Sequence, residues 1–154
     1  MRRFQAIIAS VLILCAGLAA AAATTPSQPK DSEEAAVRQV VQQYLDGLKY
    51  NDVERFKKAF WPDAKLFFVK RDGQLGQLTQ TQWYEGFKES AGKEEKGDLR
   101  ITALDITGNA ASVKVEEDYP NSKYIDYLSL LKFNGEWKIV NKIYTSQRKK
   151  TASE

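Results

Sequence analysis

The sequence predicts an α+β domain in which three helices cover one face of a curved, mostly antiparallel sheet. Three observations carry this prediction. Apolar residues recur at helical spacing only between about residues 32 and 90, the second half alternates with a period of two, and that half is punctuated by the turn pairs Gly108-Asn109, Pro120-Asn121 and Asn134-Gly135. Helices grouped ahead of a long meander bury their apolar stripes against one sheet face. A chain of 154 residues has room for one such domain.

Before the domain, Arg2 and Arg3 precede an apolar run from Ala6 to Ala16, and the alanines at 19–23 offer small-residue cleavage sites. Residues 1–23 therefore read as a secretory signal peptide and the protein as exported, periplasmic or secreted. The apolar run is shorter than the ~20 residues that span a bilayer comfortably, so no stable membrane span is expected after cleavage, and an uncleaved anchor is the alternative. Leu14 stands where a lipoprotein signal has a small residue, so Cys15 does not read as a lipidation site. Residues 24–31 form a Pro/Ser/Thr linker, 32–146 the domain and 147–154 a basic polar tail.

The first helix begins at Asp31 or Ser32, where Asp31 and Glu34 have capping-box spacing. Val37, Val40, Val41, Tyr44, Leu45 and Leu48 then form one apolar face over three turns. Asn51-Asp52 breaks and recaps the chain, a short helix covers Val53 to Phe60, and Trp61-Pro62 ends it. Leu66 to Val69 and Leu75 to Leu78 flank Asp72-Gly73 as a hairpin. Thr79 and Gln82 cap a third helix that runs to about Ser90 and buries Trp83 and Phe87. Gly92 to Asp98 (GKEEKGD) is a solvated loop. Strands follow over Leu99 to Thr107, Ala110 to Tyr119, Lys123 to Phe133 and Glu136 to Tyr144. In the first of these, apolar parity moves from Leu99 and Ile101 to Leu104 and Ile106, which predicts a bulge near Ala103 that curves the sheet.

Composition removes whole chemistries. The chain has no histidine and one cysteine, Cys15, inside the leader. Ser-His-Asp and Cys-His triads, His/Cys zinc sites and thiol redox chemistry all need those side chains. Loss of the leader takes the formal charge from +3 to +1, and no basic stripe with interleaved aromatics marks a nucleic-acid surface. No glycine-rich phosphate loop, nucleophile elbow or calcium-loop spacing is present, so neither metal nor cofactor is expected.

The segments Val40 to Ala64, Asp72 to Glu85 and, most specifically, Asp126 to Tyr144 (DYLSLLKFNGEWKIVNKIY) resemble the nuclear-transport-factor-2-like superfamily, in its bacterial branch of putative lumazine-binding proteins. The resemblance covers about Ala35 to Tyr144. It implies a cone-shaped domain whose open mouth is the pocket. The superfamily includes isomerases, dehydratases and polyketide cyclases as well as binding and assembly modules. Relatives often carry histidine before the Pro-Asp pair that follows helix two, where this chain has Trp61, which weakens any imidazole-based proposal.

Strand parity nominates the lining of that pocket. Val113, Val115, Glu117 and Tyr119 share one face, so Glu117 is a carboxylate on the apolar side. Asp126 accompanies Leu128 and Leu130. Lys123 to Phe133 is apolar on both faces, one set against the helices and the other against a partner subunit, with either face able to line the cone. Trp137, Ile139, Asn141 and Ile143 share a face and make Asn141 a polar group in an apolar row. With Tyr44, Phe67, Trp83 and Phe87, these give a pocket set of Tyr44, Phe67, Trp83, Phe87, Glu117, Tyr119, Asp126 and Asn141.

Two functions from different classes follow, with a third beside them. The first is an exported protein, homodimeric through its outer sheet face, that binds a small apolar or aromatic ligand without turning it over. The second is an isomerase- or cyclase-like enzyme in which Asp126 or Glu117 is the base and Tyr44 or Tyr119 the hydroxyl donor, as in the ketosteroid-isomerase-like sites of this superfamily. The third is an interaction module that binds an envelope protein. Against any site role, strand carboxylates are mostly solvated or structurally paired, a lone strand amide more often satisfies backbone groups, and Trp83, Phe87, Phe67 and Tyr44 at core spacing are more often plain core.

Overall fold

The computed structural model describes residues 30–150, so the leader, most of the linker and the last four residues of the tail lie outside the described residues. Among the described residues no helix is long and apolar enough to cross a membrane. Three α-helices, α1 (Lys30–Tyr50), α2 (Val53–Ala59) and α3 (Gln80–Glu85), accompany six strands: β1 (Phe60–Val69), β2 (Leu75–Thr79), β3 (Asp98–Thr107), β4 (Ala110–Asp118), β5 (Ser122–Phe133) and β6 (Glu136–Arg148). The strands form one open sheet in the order β2-β1-β6-β5-β4-β3. Every pairing is antiparallel except β1 with β6, which is parallel because the chain reaches β6 from the far edge.

The helices form where the spacing places them. Val37, Val41, Tyr44, Leu45 and Leu48 are buried along α1 and pack on Val113, Val115, Leu128, Leu130 and Ile139 from the sheet. Glu33 pins the start of α1 to the sheet by accepting from Lys132 Nζ at 2.6 Å and from Trp137 Nε1 at 2.8 Å. Asn51 takes a positive φ of 51° to end the helix, and Asp52 caps α2 by accepting from the amides of Glu54 and Arg55. The expected capping box of Thr79 and Gln82 opens α3, but this helix is shorter than its pattern. It stops at Gly86, and a separate 3₁₀ turn at Lys88–Ser90 follows, keeping Trp83 and Phe87 in edge contact at 5.0 Å.

Turn chemistry sets the register. Gly73 has a φ of 83° in the β1–β2 hairpin, and Asn134 and Gly135 both have positive φ, as the tight β5–β6 hairpin requires. The bulge expected near Ala103 is present, between Ile101 and Ala103, and it returns Leu104 and Ile106 to the face of Leu99 and Ile101. A second bulge was not foreseen. Ser129 pairs with Asn141 but Leu130 pairs with Ile139, so Val140 is an extra residue and β6 changes face there. β5 is also more one-sided than its composition: Asp126, Leu128 and Leu130 are buried, while Tyr127 and Leu131 are exposed on the outer face.

α1 and α2 meet at Gly47, where a Cβ would lie 2.5 Å from two ring atoms of the buried Phe56. Gly47→Ala gains helix propensity but overpacks this contact. A net loss of about 1–2 kcal/mol is expected in urea unfolding, and an unchanged midpoint would show that Phe56 can yield.

Candidate functional site

Bulges and parity bring four polar side chains from four elements to one end of an otherwise apolar layer. Tyr44 comes from α1, Glu117 from β4, Asp126 from β5 and Lys142 from β6, and all four are buried. The Lys142 Nζ donates to Tyr44 Oη at 2.6 Å and to Asp126 Oδ2 at 2.6 Å, the latter an ion pair. Tyr44 Oη lies 3.0 Å from Glu117 Oε1 and makes a further short contact with Asp126 Oδ2. The aromatic rings of Tyr44, Trp83 and Tyr144 surround the ammonium at 5.0, 5.2 and 4.9 Å from their centroids.

The proton count of this cluster is decisive. A phenol carries one proton, yet Tyr44 touches two carboxyl groups, and a buried contact between its oxygen and a second carboxylate would be repulsive. Asp126 Oδ1 is also buried without a donor. One proton on Glu117 relieves one of the two and removes a third buried charge: Tyr44 donates to Asp126 and accepts from Lys142, while the protonated Glu117 donates inward, either to Tyr44 or to Asp126. Burial pushes the Glu117 carboxyl up to about 8, with the Lys142 ammonium pulling it down and Asp126 adding to the rise. Burial alone would lower Lys142, but Asp126 and Glu117 outweigh it and hold the ammonium above its ordinary value. Burial, then Asp126 and Glu117, raises Tyr44 well above 10, so it stays a phenol.

Glu117 and Lys142 form the closed end of an open cavity of about 650 Å³. One wall is α3 and the turn after it, through Trp83 and Phe87. The facing wall is a row of tyrosines on the sheet, Tyr119, Tyr124 and Tyr144, with successive ring centroids 6.1 and 6.4 Å apart. The rim is the segment 92–97, which carries Glu94, Glu95 and Lys96. This segment is solvent-exposed as its charge run predicts, but it is also strapped to the end of α1. Gly92 N donates to Tyr50 O at 3.0 Å, Glu95 N to Lys49 O at 2.7 Å and Asn51 Nδ2 to Lys93 O at 2.9 Å.

The nominated residues divide into three groups. Trp83, Phe87, Glu117 and Tyr119 line the cavity, and Tyr44 and Asp126 lie directly behind its closed end. Phe67 and Asn141 face away. On β1, Leu66 takes the core position and Phe67 pairs with the exposed Ile143 on the outer face; on β6, the bulge at Val140 turns Asn141 outward, where its Nδ2 donates to Lys65 O at 3.4 Å. The same bulge turns Lys142 inward, a residue that strict alternation assigned to solvent. The one signal in the sequence was the adjacent pair Ile139-Val140, a parity shift of the kind that gave the β3 bulge.

Comparison with known proteins matches a family model described as "Putative lumazine-binding" over residues 32–145. Among solved structures, an NTF2-like protein of unknown function from Shewanella baltica OS155 is 26% identical with a TM-score of 0.73, over 79% of this chain and 98% of that one. An NTF2-like protein of unknown function from Methylobacillus flagellatus KT is 27% identical with a TM-score of 0.66, over 79% of this chain and 96% of that one. Among curated proteins, the aldolase FrzH of a Cladobotryum species is 28% identical over 104 residues, 67% of this chain and 82% of that protein.

A proton on Glu117 has a consequence for stability. Because its folded value is raised, its contribution is fully present below the ordinary value of 4.5 and is lost as pH rises through about 8. Wild type is therefore expected to lose stability relative to Glu117→Gln between pH 5 and about 8.5 in parallel urea titrations, and a difference that stays constant would contradict the proton assignment.

Proposed function

Because the chain belongs to the family described as "Putative lumazine-binding", within the nuclear-transport-factor-2-like superfamily, we propose that it is an exported binding protein whose cavity takes a small, flat molecule with a polar edge. One observation carries this reading: a donor and an acceptor stand side by side at the closed end of an aromatic slot. Lys142 has three N–H groups and uses two of them on Tyr44 and Asp126, which leaves one for the cavity it lines. A Glu117 that turns its proton inward presents a carbonyl oxygen. Both residues touch the same Tyr44 hydroxyl, so they are close enough to meet adjacent atoms of one ligand.

The complement of that pair is a ring edge with C=O beside N–H, the lactam edge that lumazine carries. Trp83 and Phe87 against the tyrosine row would hold the ring by its faces. Lumazine itself is the probe. It is expected to raise the melting temperature and to quench tryptophan fluorescence, with binding weakened about tenfold or more by Trp83→Ala, a loss of ~1.4 kcal/mol. Equal binding of naphthalene, which has no polar edge, would contradict the recognition of an edge; failure of every flat ring to bind would contradict the pocket.

The outer sheet face supports a homodimer. Tyr127 and Ile143 are exposed there as a cross-strand pair, with Leu131 exposed further along β5, apolar area of the kind that a second copy covers. Light scattering on chain recovered from the periplasm of a Gram-negative host is expected to give a dimer of mature length, and Tyr127→Glu a monomer. A monomeric wild type would refute the interface, and full-length protein retained in the cytoplasm would refute export.

A further inference from the structure

We propose that Glu117 couples ligand binding to a proton: the cavity holds its ligand while Glu117 is protonated and releases it when Glu117 ionises, because the new carboxylate takes the one Lys142 N–H that the ligand uses. This regulation rests on the binding reading above and deepens it. Two of the three N–H groups of Lys142 go to Tyr44 and Asp126, so the floor of the cavity has a single lysine donor to offer. Glu117 stands beside that donor. Its Oε1 lies 3.0 Å from Tyr44 Oη, and Lys142 Nζ lies 2.6 Å from the same oxygen. Both side chains line the cavity, with Tyr44 fully buried behind them.

The protonation state decides which partner the lysine takes. A protonated Glu117 turns its O–H inward and carries no charge to attract the ammonium, so the free N–H is left for a ligand carbonyl. An ionised Glu117 offers Lys142 a charge-assisted hydrogen bond, about twice as strong as one to a neutral carbonyl, across a small side-chain rotation. The floor then closes on itself. A ligand would have to break that bond, and it would also strip water from a carboxylate that the open cavity otherwise hydrates. The ligand N–H would find a stronger acceptor in the carboxylate, but it is a neutral donor displacing an ammonium.

The groups around Glu117 leave it as the switch. Tyr44 faces it from α1, Tyr119 from its own strand, Tyr124 and Asp126 from β5, and Lys142 and Tyr144 from β6. β3 opposes it with Leu99, α3 and the turn after it line the cavity with Trp83 and Phe87, which do not titrate, and the strap brings Glu94, Glu95 and Lys96 to the exposed mouth. Burial raises Tyr44, Tyr119 and Tyr144, which stay phenols, and Asp126 and Glu117 keep Lys142 charged against the pull of its own burial. Burial also lifts Glu117 to about 8, with Lys142 pulling it down and Asp126 adding to the rise. A ligand that excludes water from the floor favours the neutral form further. Affinity is therefore full below the value of the free protein and falls as pH rises through it.

The test is the pH dependence of 2-quinolone binding to the full chain, read by tryptophan quenching. This probe is a flat bicycle with C=O beside N–H, and its own lactam does not titrate across the range used. The dissociation constant is expected to be flat up to about pH 7 and to rise toward about tenfold per pH unit above about 8. Calorimetry at about pH 9, in buffers of different ionisation enthalpy, is expected to show about one proton taken up with each ligand. Affinity returns when the sample is brought back to about pH 6. Glu117→Gln, which cannot ionise, is expected to bind with a flat profile and without proton uptake. A flat wild-type profile, tighter binding at high pH or a loss that does not reverse overturns the coupling and leaves the cavity a binding site; no quenching at any pH overturns the binding reading with it for this class of ligand. The wild-type profile and the proton count decide the case even if the variant fails to fold.

Discussion

One shared proton holds the closed end of this cavity together. Four polar side chains from α1, β4, β5 and β6 meet at the Tyr44 hydroxyl and the Asp126 carboxylate, in a layer otherwise built from apolar side chains. Taking Lys142 and Asp126 out of water costs several kcal/mol per ion before their attraction is counted, and a third charge on Glu117 would have no partner left. The protonated carboxyl leaves one ion pair, Lys142 with Asp126, and no third buried charge beside it. Its acidity is therefore set by the packing of α1 on the sheet, and the walls and rim of the cavity are arranged around it.

Much of this was legible in the sequence, for a physical reason. Period-two alternation on β4 is unbroken through Glu117, so parity placed that carboxyl on the apolar side; on β5 it grouped Asp126 with Leu128 and Leu130 but left either face able to line the cone. The helical stripe placed Tyr44 on the apolar face of α1. Lys142 was hidden because one extra residue, Val140, inverts every position after it on β6. A single bulge thus exchanged Asn141 for Lys142 and changed the meaning of the site, turning a carboxylate–phenol pair into a cluster with its own cation. Phe67 was misplaced more simply: in a run of apolar residues, Leu66, Phe67 and Phe68, parity has no polar marker to fix which one faces the core.

The strap shows a different limit. A run of lysines and glutamates reads as solvated, and Glu94, Glu95 and Lys96 are indeed exposed. What sequence pattern could not convey is that backbone bonds to Lys49 and Tyr50 fold the run over the mouth, so that exposed charges become the rim. Asn51 makes this possible through its left-handed backbone, which ends α1 and frees its amide to accompany the strap. Gly97 ends the strap beneath Tyr119, where a Cβ would come within 2.7 Å of the ring and displace part of the tyrosine wall.

Shared architecture does not decide what such a cavity does, since this fold serves unrelated functions and the similar proteins from Shewanella baltica and Methylobacillus flagellatus are themselves of unknown function. Position is more informative. If the four polar groups served stability, apolar residues of similar volume would do as well or better, and the cluster could sit anywhere in the layer. It sits instead where the sheet departs from the helices and the cavity begins, with Val113, Leu128, Leu130 and Ile139 filling the closed remainder of the same layer. A polar cluster at the closed end of a cavity, with Lys142 and a Glu117 carboxyl raised to about 8 by burial on its lining, has the perturbed groups that functional sites collect. The same features that make it expensive as core make it useful as a floor.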